Sequence, residues 1–484
     1  MKRYGAEVLP CGILGLTLLC SGCGINRASW DPNSYSQPNP YTYWNFKNPP
    51  RDCEPIAPPP QQELPFSLGE LVDIALKSSP QTKSSWAQAK LAAAQYGESQ
   101  NALYPQLTGQ ANFNRIRSIT VIGPFNVDPK QAVPYYMNIW GPQMNLSYLI
   151  FDFGTVRATS EAARMALYFA NWTQNQAIQT LVQTITSDYY NYAYQRQLED
   201  SLVLDLETAF ITLDAAKVGL MSGVKDVSDV LQAETQYLQT NLQLISQRQQ
   251  VVNALAQLMA DAGLPANAKI ETNKLPVVDP SIDTLQDIDA LIEVALTHRA
   301  DLNASRSQLE AAEWTLKAAK RNMLPKLNYT FNLGKKYFSG GVNDGYDFNS
   351  GFALTFPIFQ GFSYINMIRE ARAQKEQAEA GLQQMELQVI QQIVSAHQGV
   401  KTAHDSVLSA ADYLKAAAEQ YKVALSQYKA GTASILTVVT AQSSLANARA
   451  TDAQARSYWF TALSNLAYTT GLITDPAIAN QEAP

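Results

Sequence analysis

The chain has 484 residues, of which only 16% are charged, and carries a net charge of −6. That balance excludes a nucleic-acid binder, which needs clustered basic residues interleaved with aromatics. Its four cysteines, Cys11, Cys20, Cys23 and Cys53, all lie near the N-terminus, and a cleaved leader would remove two, so no disulfide framework is expected.

Lys2 and Arg3 precede an apolar stretch from Val8 to Leu19 broken by Pro10, the pattern of a bacterial secretory leader, here residues 1–22. It ends in Cys20-Ser21-Gly22-Cys23, which resembles a lipobox, and this assigns acylation to Cys23; ordinary cleavage with a free N-terminus is the alternative. Residues 23–66 are rich in Pro, Asn, Gln and Tyr, including Pro58-Pro59-Pro60, and read as an extended strap. No later run of about 18 apolar residues offers a membrane-spanning helix.

Helical patterning starts near Ser67 and the chain then says everything twice. Leu76 and Leu296, and Pro105 and Pro325, are separated by 220 residues. Gly223 and Gly431, Val230 and Val438, and Gly263 and Gly471 are separated by 208. Such fixed registers identify a tandem duplication, with an indel of about 12 residues between Pro105 and Phe151. The copies are residues 67–263 and 285–471, joined by a linker at 264–284 and followed by a tail at 472–484.

Each copy has the same order: a short helix (Leu68 to Lys77; Ile288 to Thr297), a medium helix ending at a proline (Ser85 to Tyr104; Leu302 to Leu324), a strand pair, a long helix, a glycine bend and a return helix. From Phe359 to Gly471 there is no proline. Apolar or small residues at Leu382, Met385, Val389, Ile393, Ala396, Val400, Ala403, Val407, Ala411, Leu414, Ala418, Tyr421 and Leu425 recur at a mean of about 3.6, an amphipathic helix. At 1.5 Å per residue the arm from Phe362 to Tyr428 is roughly 100 Å long. The medium and return helices together nearly match that length, so they are expected to stack end to end beside the long one.

The strand pairs alternate apolar and polar residues: Leu327, Tyr329, Phe331 and Leu333 against Asn328, Thr330, Asn332 and Gly334, with Asn349 on the partner strand. The first copy does the same, with Gln110, Asn112 and Asn145 at polar positions. Soluble sandwiches and lipid-embedded barrels share this alternation. The exported leader and segments near the length that crosses a bilayer favour the barrel. Pro142 reads as a bulge or a strand start. Four strands cannot close, lipid tolerates no open edge, and about eight strands would fill their own interior. A homotrimer with a shared 12-stranded barrel follows, its pore lined by Gln110, Asn112, Asn145, Asn328, Asn332 and Asn349, above a long α-helical barrel. The fold class is mainly α with a membrane β-barrel.

Three features together resemble the outer-membrane efflux protein family, the TolC-like channels, over nearly all of Leu68 to Leu472. They are the entries Ala75-Leu76-Lys77-Ser78-Ser79-Pro80 and Ala295 to Asp301, the junctions Ile150-Phe151-Asp152-Phe153-Gly154 and Phe356 to Gly361, and the bends Val218 to Gly223 and Tyr428 to Thr432. The resemblance implies a non-enzymatic, cofactor-free exit duct that passively conducts small molecules across the outer membrane. An inner-membrane pump and a periplasmic adaptor would load it. It implies adaptor docking at the periplasmic tips, here Gly219, Leu220, Gly223, Val230, Gly431, Thr432 and Leu436. Family tips are often narrowed by acids. Here Lys415, Lys422 and Lys429 crowd the helix before Gly431, with Asp412 and Glu419 the nearest acids. Asp226 and Asp229 are alternative gate acids, explained equally well as a helix cap. A type I protein-secretion duct and a lipid-anchored, non-transporting coiled-coil spacer are the other readings. His397 and His404 lie two turns apart beside Asp405, but two ligands without a third make no metal site. His298 lies in another segment, so no catalytic Ser, His and Asp group assembles locally.

Overall fold

The computed structural model describes residues 65–122, 131–268, 270–278, 287–339 and 343–473. The leader, Cys23, Cys53, nearly all of the strap and most of the tail lie outside them. The elements are α1 (Leu68–Ser78), α2 (Pro80–Ser99), β1 (Gln106–Ile122), β2 (Gln131–Phe151), α3 (Thr155–Met221) and α4 (Val227–Asp261) in the first copy. The second copy gives α5 (Ile288–His298), α6 (Ala300–Arg321), β3 (Lys326–Phe338), β4 (Gly345–Thr355), α7 (Ser363–Lys429) and α8 (Ile435–Thr469). The two long helices have 67 residues each, and α4 and α8 have 35 each.

Ser67 opens the helical part with a capping box: its Oγ accepts from the Glu70 N–H and the Glu70 carboxylate accepts from the Ser67 N–H. Packing then follows one plan. Helix α3 lies against α2 and α4 on one side and α6 and α8 on the other, and α7 lies against α6 and α8. The shorter helices meet end to end, and two glycines mark the joints. A Cβ on Gly263, just past α4, would lie 2.9 Å from the Ser78 carbonyl, where α1 breaks into α2. A Cβ on Gly471, just past α8, would lie 3.1 Å from the His298 carbonyl carbon, at the corresponding break between α5 and α6. Only a residue without a side chain lets the two backbones meet there.

On α7 the buried seam differs from the sequence expectation in one respect. Val389, Ile393, Ala396, Val400, Ala403, Val407, Ala410, Ala417, Ala424 and Tyr428 are buried, with Leu414 and Tyr421 half-buried between them. The steps alternate four and three, a period of about 3.5, so the seam runs through Ala410 and Ala417 and leaves Ala411 and Ala418 exposed. A straight helix of period 3.6 would drift off its neighbour over this length. The heptad seam keeps contact by supercoiling, and its alanines admit close approach.

Midway along α3 the N-terminal end of the described chain is tied down. Phe66 N–H donates to the Glu271 carbonyl at 2.8 Å, and Phe66 and Thr272 form a parallel bridge. Phe66, Leu264, Ile270 and Leu275 cover a buried patch of Leu181, Ile185, Tyr189 and Tyr192 from α3. The described part of the linker is thus a belt over the helices.

The four strands form one antiparallel sheet in the order β1-β2-β3-β4. The first hairpin is the taller, with strands of 17 and 21 residues against 13 and 11. That is where the sequence put its insertion. Pro142 neither starts β2 nor bulges it from β1: it pairs with Ala111 in mid-strand. The ladder to β3 lapses instead, between the Trp140–Tyr337 and Gln143–Gly334 pairs. There a Cβ on Gly141 would sit 1.8 Å from the Lys335 carbonyl oxygen. The glycine lets β3 come close where the proline has no N–H to give.

Both strand-to-helix junctions turn through left-handed backbone, Phe153 and Gly154 (φ 55° and 81°) in one copy, Gly361 and Phe362 (59° and 63°) in the other. A left-handed phenylalanine costs roughly 1–2 kcal/mol. In the first junction the Asp152 carboxylate offsets this by accepting from the N–H groups of Gly154 and Val156 at 2.9 and 2.6 Å. Arg321 donates to the Gly154 carbonyl at 3.0 Å and ties the junction to α6.

Candidate functional site

The sheet register gathers the six polar strand residues on one face. Thr108, Asn145, Asn332 and Asn349 pair directly across all four strands. Gln110, opposite Gln143, and Asn112, opposite Gly141, continue the same face on one side, and Asn328, opposite Ala353, on the other. The opposite face carries Leu107, Phe113, Met144, Leu333, Phe348 and Phe352, all exposed in the single chain. Both outer edges, of β1 and of β4, are unpaired among the described residues. An exposed apolar face, a continuous amide face and two open edges describe a segment of a larger closed sheet.

At the far ends of the long helices the two bends come together. Gly223 and Gly431 take left-handed φ of 68° and 77°, as helix-ending glycines do. The following N–H groups turn back: Val224 donates to Gly219 at 3.0 Å and Thr432 to Gln427 at 2.9 Å. Leu213, Ala216, Ala233, Tyr428, Ile435 and Val438, drawn from both copies, form one buried cluster beneath them. Val230 packs against that cluster, while Leu436 is exposed. Gly219 is crowded by the Lys225 side chain, and Leu220 is half-buried. The first bend also exposes Met221 (80%), Val224 (67%) and Val227 (58%), which sequence reading did not single out as docking residues. Their signal was present, since large apolar groups beside a glycine bend serve no amphipathic stripe.

The four acids separate. Asp226 sits at the start of α4 without accepting a capping hydrogen bond through its side chain. Asp229, one turn on, accepts from the Tyr428 hydroxyl at 3.2 Å, and the Lys225 ammonium lies 4.2 Å from the same ring. Burial, reinforced by the Asp229 carboxylate, pushes the Tyr428 phenol up to about 12, so it stays a donor at neutral pH. This clasp joins the copies at the tip. Asp412 and Glu419 lie exposed on α7, where Glu419 faces Lys422 at 3.8 Å, and they take no part in it. Higher up, Arg449 of α8 pairs with the buried Asp205 of α3, and the Tyr421 hydroxyl lies 3.4 Å from that of Thr212. Burial raises the Asp205 carboxyl, and Arg449 pulls it part of the way back. None of these long-range partners is visible in local spacing.

Of the histidines, His397 is buried, and the His404 Nδ1 lies 3.0 Å from Asp405 Oδ1. Among the described residues no group of three or more His, Cys, Asp or Glu converges on a metal-sized space. No described helix is long and apolar enough to cross a membrane.

The model for the outer membrane efflux proteins matches residues 71–264 and 291–472, once for each copy. The chain belongs to the outer membrane efflux protein family. Its members are efflux proteins of the outer membrane rather than enzymes. The chain is 25% identical over 327 residues to protein CyaE of Bordetella pertussis, covering 67% of each. It is 24% identical over 324 residues to the solvent efflux pump outer membrane protein SrpC of Pseudomonas putida, covering 64% of this chain and 65% of that one. The outer-membrane channel OprN shares the fold, with a TM-score of 0.74 and 17% identity, over 89% of this chain and 98% of that one.

Proposed function

We propose that three copies of this chain close into a water-filled exit duct, β4 of each pairing with β1 of the next in a barrel of about twelve strands. The observation that carries the reading is the sheet itself: an amide row across all four strands, an apolar reverse face, and an open edge on either side. Lipid forbids such edges, so the sheet must be completed by neighbours. The unbroken face of α7 and the jointed column of α2 and α4 end the helical layer in the same way, ready for other copies.

In this reading Gln110, Asn112, Asn145, Asn328, Asn332 and Asn349 line the bore. The bends at Gly219–Gly223 and Gly431–Thr432, with Met221, Val224 and Leu436, take a periplasmic adaptor that brings an inner-membrane pump. Asp229, held by Tyr428, is the acid best placed to act in the tip gate. The cargo is small molecules, a reading supported by the name of the relative SrpC. Acylation of Cys23 would add a lipid anchor.

Detergent-purified protein added to a planar bilayer tests the duct. Stepwise conductance, with cross-linking that stops at the trimer, is expected. A detergent-free monomer that passes no current would leave a spacer in its place. Co-purification with a peptide-exporting ATPase would move the cargo to the type I secretion reading.

A further inference from the structure

Toward the loop end of the shorter hairpin the outward, apolar face changes character. Phe113, Trp140 and Tyr337 pair in a row across β1, β2 and β3, with the Trp140 and Tyr337 rings stacked at 5.9 Å between centroids. Three cations flank this row on the same face. Arg115 and Arg117 follow Phe113 at two-residue steps along β1, and Lys335 precedes Tyr337 by two on β3. Arg117 lies 5.6 Å from the Tyr136 ring, and Lys335 lies 5.0 and 5.6 Å from those of Tyr337 and Tyr346. Arg115 and Arg117 are exposed and Lys335 is half-buried, and none of the three forms an ion pair among the described residues. Of the nearby acids, Asp347 pairs with Lys336 on the amide face, and Asp344, which accepts from the Phe338 N–H, also interacts electrostatically with Lys335 without forming an ion pair.

Cations on a lipid-directed face are costly unless an anion meets them. An aromatic row marks the level where hydrocarbon gives way to headgroups. The row lies midway along β1 and β2 and at the end of β3 away from the helices. It is some eight to twelve residues from the strands' helix ends, near the length that crosses a bilayer, so on the duct reading, on which this inference rests, it faces the outer leaflet. Strand spacing of about 4.8 Å and a rise of about 3.3 Å per residue put Arg115 and Lys335 on the order of 15 Å apart. That span suits one headgroup carrying two separated phosphates, with the flat aromatic faces between them receiving sugar rings.

We propose that Arg115, Arg117 and Lys335, with Trp140 and Tyr337, form a binding site for a phosphorylated glycolipid of the outer leaflet. The arginines hold one phosphate in bidentate fashion, the lysine meets the second as a point charge, and the stacked rings seat the sugar.

Native mass spectrometry and thermal melting of the full-length protein in detergent test the site, with diphosphorylated lipid A as probe. Bound lipid surviving gentle activation and a raised melting temperature are expected. Dephosphorylated lipid A and phosphatidylglycerol should each give a much smaller shift. Replacing all three cations by glutamine should weaken lipid A binding roughly a hundredfold, at about fivefold per cation, with bilayer conductance unchanged. Equal stabilisation by phosphatidylglycerol, or by the dephosphorylated probe, would overturn the assignment without using a variant. No lipid A binding by a conducting wild-type protein would also overturn it, while the duct stands. A protein that neither conducts nor binds would remove both.

Discussion

Gly263 and Gly431 end helices in the same backbone conformation, with φ of 73° and 77°, yet their surroundings differ completely. Alanine at either pays for a left-handed Cβ, roughly 1 kcal/mol. At Gly431 the new methyl meets nothing within 4 Å, so that cost is the whole of it. At Gly263 the methyl would lie 2.9 Å from both atoms of the Ser78 carbonyl and 3.0 Å from Ser79 Cα. These are backbone atoms at a buried joint (Ser79 is 2% exposed) and cannot swing aside as a side-chain end could. Overpacking of this kind adds about 1–3 kcal/mol. Gly263→Ala should therefore cost about 2–4 kcal/mol and Gly431→Ala about 1. Thermal melts of the purified oligomer in detergent, with limited proteolysis at the joint, compare the two directly. Equal melting temperatures would refute the end-to-end joint as the reason for glycine at 263.

The tip is probed by a bulkier change: Gly431→Val should leave oligomers in the outer membrane but abolish export, and unchanged drug resistance in a host lacking its own duct would count against docking there. Asp188, facing Asp261 across α3 and α4, has its carboxyl raised to about 7, chiefly by burial and then by Asp261. The folded state thus holds a proton that the unfolded chain releases near 4. The stability this gives is complete below about pH 4 and is lost as pH rises through about 7. Asp188→Asn should flatten the fall in melting temperature between about pH 4 and 7, and an unchanged slope would place the titration elsewhere. Arg449→Met leaves Asp205 buried without its partner and should cost about 3 kcal/mol, partly relieved by adding Asp205→Asn in a double-mutant cycle. Asn332→Asp, at the centre of the amide row, should raise cation selectivity in planar bilayers, with reversal potentials as the readout.

Much of the architecture could be read from the chain because it rests on spacing. Duplication, glycine bends, the long proline-free arms and the alternating strands are all local or periodic signals, and each appears where its residues placed it. The seam on α7 slipped from Ala411 and Ala418 to Ala410 and Ala417 because a mean period over a long helix does not distinguish 3.6 from 3.5. Pro142 was misjudged for a different reason. Its compensation is Gly141 pressed against Lys335, nearly two hundred residues away, and no window of sequence contains both. The same holds for Tyr428 with Asp229 and for Asp205 with Arg449. Those pairs bring together the two copies, whose relative placement only the folded chain reveals.

The unequal hairpins have a consequence for the outer mouth. At the level of the helices the duplicated halves mimic each other closely, and a ring of three chains would look almost six-fold. At the rim the resemblance fails, because each chain raises one tall ribbon beside one short one. The mouth would then be a crown with three peaks and three notches, offering any bulky ligand arriving from outside at most three equivalent footholds.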